Sequence, residues 1–95
     1  MITAVVLINT EVGKTPHVAQ ALAETEGVAE AYSVAGSYDV VAIVKVKDYE
    51  EMAQLVPERL AKIDGIAHTL TLMAFRRYSE RLMDRMWEIG LGEDR

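Results

Sequence analysis

The chain opens on Ile2 to Ile8 (ITAVVLI), apolar and β-branched on both alternating sides, the pattern of a strand in the middle of a sheet. Glu11-Val12-Gly13-Lys14 interrupts the run, and Thr15-Pro16 begins a helix, with Thr15 as N-cap and Pro16 in the first helical position. Val18, Ala21, Leu22 and Thr25 share one helical face, and Gly27 suits the left-handed position just past a helix end. Val28 to Ala35 and Asp39 to Lys47 read as two strands turned by Gly36-Ser37-Tyr38, a connection short enough to require an antiparallel hairpin. Asp48 and Glu51 have the spacing of a capping box and open a second helix striped by Met52, Leu55, Val56, Leu60 and Ile63, closed by Gly65. Pro57 removes the N–H that would bond the Ala53 carbonyl, which predicts a kink there. Ile66 to Phe75 is a fourth strand. Ser79 caps a third helix striped by Leu82, Met83, Met86, Trp87 and Ile89.

The order β-α-β-β-α-β predicts an α+β, ferredoxin-like fold: a four-stranded antiparallel sheet with two helices on one face, plus an extra C-terminal helix. Residues 1–77 form this unit, and 78–95 add the helix and tail to the same domain. Two helices cover only one face of such a sheet, so a monomer should be polar on the other. Here the first strand sets Ile2, Ala4, Val6 and Ile8 against Val5 and Leu7, and the third sets Val40, Ala42, Val44 and Val46 against Val41 and Ile43. The fourth sets Leu70, Leu72 and Ala74 against Met73 and Phe75. Both faces are apolar, so a second layer is expected, either the third helix folded back or another subunit. An obligate oligomer follows from this pattern.

Composition narrows the function classes. Ninety-five residues make room for one domain, and 10 Lys+Arg against 15 Asp+Glu give a net charge of −5 without the basic footprint of a nucleic-acid binder. Zero cysteines exclude disulfides, thiolate catalysis and Cys-based metal sites. No apolar run approaches the ~20 residues of a membrane helix, and no signal peptide is visible after Met1, so the expected location is the cytoplasm.

Most candidate chemistries have plain structural explanations. Gly13-Lys14-Thr15 resembles the tail of a phosphate-binding loop, but the required earlier glycine is Ile8. His17 and His68 lie far apart and no carboxylate cluster has metal-ligand spacing, so no metal or cofactor is expected. Arg76, Arg77, Arg81 and Arg85 are interleaved with Glu80, Asp84 and Glu88, a face of mixed sign. Gly36-Ser37-Tyr38-Asp39 leaves two readings open. Asp39 caps its own turn, or its carboxylate, the Tyr38 phenol and the loop N–H groups hold the zwitterionic head of a small ligand.

At this hairpin the chain resembles the effector-binding (RAM) domain of the Lrp/AsnC, or feast/famine, transcriptional regulators. The resemblance lies in Gly13, Val18 and Leu22, in the continuous stretch from Val28 to Val40, in Val44, Asp48-Tyr49-Glu50, and in Gly65-Ile66-Ala67-His68-Thr69-Leu70-Thr71. It implies sheets packed face to face in a dimeric α/β-barrel-like pairing, with dimers joined into octameric or decameric rings. It also implies an effector, usually an amino acid, between neighbouring dimers. Carried onto this chain, the ligand-binding residues are Ser33, Gly36, Ser37, Tyr38 and Asp39 of the hairpin, with Thr69, Thr71 and Met73 of the last strand.

The family's regulators also carry an N-terminal helix-turn-helix domain, whereas Met1 here abuts the first strand, so the likeness is to the stand-alone members. The third helix runs past the family domain's usual end, in a position either to extend the assembly or to block the pocket. The reading is a non-enzymatic homo-oligomer that binds an amino acid effector and acts in transcriptional or metabolic regulation, contacting neither DNA nor membrane itself. It has room to co-assemble with DNA-binding Lrp/AsnC-type relatives. The competing class is a cofactor-free dimeric α/β-barrel monooxygenase or isomerase, with Asn9, His68 and Trp87 as its available groups. A third is an assembly-only protein with a vestigial pocket.

Overall fold

The computed structural model describes residues 1–80, so the expected third helix beyond Glu80 and all of its apolar stripe lie outside the described residues. Strands β1 (Ile2–Thr10), β2 (Val28–Ser33), β3 (Val40–Val46) and β4 (Ile66–Met73) alternate with helices α1 (Thr15–Ala23) and α2 (Tyr49–Gln54) in the order β1-α1-β2-β3-α2-β4. The sheet order is β2-β3-β1-β4 with every neighbouring pair antiparallel, the ferredoxin-like arrangement. β1 holds a central place, as its two-sided apolar sequence requires.

On one face Ala4, Val6 and Ile8 of β1 lie beside Val40, Ala42, Val44 and Val46 of β3, all buried under Val18 and Leu22 of α1 and Met52, Leu55 and Leu60 of the second helical segment. Full burial of a side chain of this kind stabilises by about 1.5–3 kcal/mol, so this layer holds the fold together. The opposite face carries the odd-numbered set. Val5 stands between Ile43 and Leu72, and Leu7 between Val41 and Leu70. Tyr32 extends the row onto β2. Leu70, Leu72 and Tyr32 keep 45, 48 and 50% exposure, an apolar stripe running across all four strands.

Three local readings need correction. The Thr15 side chain makes no cap; the N-cap position falls on Lys14, and the Thr15 hydroxyl instead meets that of Thr10 at 2.7 Å. A threonine with a strong hydroxyl partner across the turn has no need of the helix N–H groups. Helix α1 closes at Glu24, so Gly27 lies beyond its end, in the turn entering β2 at φ +99°. A Cβ at Gly27 would come within 2.6 Å of Leu55 Cδ1, so close approach as well as backbone conformation demands glycine.

The third is β2, which ends at Ser33 rather than Ala35, making the hairpin loop longer than expected.

The second helix does break at Pro57. Regular α-helix stops at Gln54, Leu55–Arg59 forms a wide π-type turn, and Leu60–Lys62 a tight 3₁₀ turn. With no proline N–H to bond Ala53, the coil widens and the Leu60 N–H reaches both the Leu55 and Val56 carbonyls. Asp48 accepts from the Glu51 N–H at 2.9 Å, which makes it the expected N-cap. Arg59 donates to the Glu26 carbonyl at 2.8 Å, tying the segment's end to the turn that holds Gly27.

Candidate ligand site at the hairpin

The β2–β3 loop is fastened to the end of β1. Asp39 donates its backbone N–H to the Ile8 carbonyl at 2.9 Å, and its own carbonyl accepts from the Val34 N–H at 2.9 Å. Asn9 donates its side-chain amide to the Ser37 carbonyl at 2.9 Å. Gly36 turns the loop at φ +130°, with nothing near the space a Cβ would fill, so backbone conformation alone requires it.

Asp39 caps something other than its own turn. Its Oδ2 accepts from the Thr10 backbone N–H at 2.8 Å and from the Thr10 hydroxyl at 3.3 Å. Oδ1 has no hydrogen-bond partner among the described residues. Asp39 and Tyr38 are both half-buried, while Ser37 and Gly36 are exposed. The carboxylate is thus held by one oxygen on a rigid strand end, and the other is available to a cation.

The remaining candidates are only partly brought to this place. Register puts Ser33 opposite Val40, Thr69 opposite Ile8, Thr71 opposite Val6 and Met73 opposite Ala4, all on the helix-side face. Thr69 therefore stands at the hairpin end of the sheet, while Met73 lies four residues further along β4, about 13 Å away. β2 and β4 are the two edges of the sheet, so Ser33 and the β4 residues belong to opposite margins of one protomer. An open cleft of about 670 Å³ lies elsewhere, at the far end of the open face among Ile43, Lys45, Phe75, Arg76 and Arg77, and includes none of the candidates.

Of the groups the other candidate chemistries would use, Lys14 and Asn9 are engaged in structural contacts. Lys14 pairs with Asp64 at 3.3 Å, and the Asn9 amide is bound to the hairpin. His68 is exposed opposite Asn9. Trp87 lies outside the described residues. Among the described residues no group of His, Asp or Glu could hold a metal, and no helix is long and apolar enough to cross a membrane. Sequence reasoning missed Thr10 as the partner of Asp39 and Thr15 as the partner of Thr10. Their only signal was two polar residues flanking the Gly13 turn, and nothing in their spacing pointed to Asp39.

The model of the Lrp/AsnC ligand binding domain family matches residues 3–83. The uncharacterized HTH-type transcriptional regulator PF0250 of Pyrococcus furiosus is 35% identical over 83 residues, covering 84% of this chain and 55% of that protein. The chain spans about half the length of the curated relatives it matches. The crystal structure of TTHA0845 from Thermus thermophilus is similar at 44% identity and TM-score 0.78, covering 84% of this chain and 100% of that one. The regulator NMB0573 of Neisseria meningitidis, crystallised as its L-Met complex, shares the fold at 11% identity and TM-score 0.73, covering 83% of this chain and 53% of that one.

Proposed function

The chain belongs to the Lrp/AsnC ligand-binding-domain family, and from that premise we propose that it is an oligomeric module that senses an amino acid at the Gly36–Asp39 hairpin. Its regulator relatives give it a regulatory, effector-binding role; the amino acid, the site and the assembly are the proposal. The observation that carries it is Asp39, anchored through Oδ2, with Oδ1 unpartnered among the described residues. An anchored carboxylate binds a ligand ammonium without first losing side-chain freedom. Hairpin N–H groups at Ser37 and Tyr38 take the ligand carboxylate. NMB0573 with its L-Met is a protein of the same fold that holds such a ligand.

Because one protomer sets its β2 and β4 margins apart, Thr69, Thr71 and Met73 of a neighbouring subunit complete the side-chain pocket. Dimers form through the apolar stripe of the open sheet face, in a barrel-like pairing, and assemble into octamers or decamers. The net charge of −5 supports regulation without direct DNA contact, through co-assembly with DNA-binding relatives in the cytoplasm. The role is binding rather than catalysis.

A thermal-shift screen of the proteinogenic amino acids tests the reading. A ligand at 100 times its Kd adds about 2.7 kcal/mol of stability by linkage, a clear rise in melting temperature. Asp39→Ala is expected to abolish that rise. No shift with any amino acid would sink the effector function, and a shift that survives Asp39→Ala would move the site.

A further inference from the structure

We infer that Thr10 and Thr15 form a positioning relay that holds Asp39 in the orientation its ligand requires, so that effector affinity is set partly from the start of α1. This rests on the effector reading above and adds two residues to it, neither of which would touch the ligand.

The direction of the relay follows from donor counting. The ionised Asp39 carboxylate only accepts, so at 3.3 Å from Oδ2 the Thr10 hydroxyl must be the donor. A hydroxyl has one proton. Having given it to Asp39, Thr10 Oγ1 can only accept in its 2.7 Å contact with Thr15, which makes Thr15 the donor there. The chain of bonds runs Thr15 O–H to Thr10 Oγ1, then Thr10 O–H to Asp39 Oδ2, with the Thr10 N–H reinforcing the last oxygen at 2.8 Å. Three elements meet in it: the end of β1, the first residue of α1 and the hairpin before β3. Both threonines are half-buried, and the two bonds from Thr10 end on Oδ2, which leaves Oδ1 without a partner among the described residues. Thr10 and Thr15 are thus positioning residues.

Calorimetric titration of the full chain with the proteinogenic L-amino acids, singly, on wild type, Thr10→Val, Thr15→Val and Thr10→Ser tests this. Valine keeps the shape and the Thr10 N–H bond while deleting one hydroxyl. The expected result is about 3- to 10-fold weaker binding of the wild type's preferred amino acid in each valine variant. Thr10→Ser, which restores the hydroxyl, should return most of the affinity. Wild-type affinity in either valine variant overturns the relay while leaving the effector reading intact. A Thr10→Ser variant as weak as Thr10→Val also overturns it, since loss of packing then explains both. If no amino acid binds the wild type, the effector reading falls and the relay with it.

Discussion

Asp39 shows how far one residue can be understood from its neighbours in sequence. Beside Tyr38 at the entrance to an apolar strand it advertises a carboxylate on a rigid turn, and that much was legible. Its partner Thr10 is 29 positions away, and a bond of that span exists only once β1 and β3 pair. Tyr32 is a second case. It alternates onto the open face and lies against Glu30, whose accepting carboxylate and negative charge raise the Tyr32 phenol above its ordinary 10.0. A folded-state value raised above the unfolded one favours the protonated phenol in the folded protein. The associated stability is therefore complete below pH 10.0 and is lost as pH rises through the folded value. Ultraviolet titration of phenolate should show the Tyr32 ionisation above its ordinary value, and Glu30→Gln should bring it back down.

At the scale of elements, the periodicities of β1, β3 and the Asp48 cap were legible because burial and capping are local in their demands. The break at Pro57 was legible too, since a missing N–H acts wherever the residue stands; the widened turn that absorbs it was not. The assignments of Thr15 and Gly27 failed for one reason. Each residue has a plausible role in its own helix, and each is used for a contact to another element. Gly27 sits against Leu55 of the segment packed above it. Gly27→Ala forces both a strained φ and a clash, and is expected to destabilise by about 1–3 kcal/mol in urea unfolding, whereas Gly36→Ala meets no neighbour and should cost less.

For the whole molecule, two apolar sheet faces and, among the described residues, one layer of helices set the terms. The stripe of Val5, Leu7, Val41, Ile43, Leu70 and Leu72 is too continuous for a surface that stays in water. Leu70→Lys with Leu72→Lys changes only exposed positions on an edge strand, so the fold is expected to survive while the assembly falls apart. Light scattering should then report the mass of one chain, against a multiple of it for the wild type, with unchanged circular dichroism. The division of Ser33 and Asp39 from Met73 across one sheet was not legible from the chain alone, because strand order decides it.

The central claim is that an amino acid settles at the hairpin and at β4. Hydrogen–deuterium exchange of the assembly, with and without the amino acid that stabilises it most, tests this directly. Exchange should slow in peptides covering residues 34–39 and 66–73 and stay unchanged in α2. Slowing confined to other segments, or none with any amino acid, would contradict it.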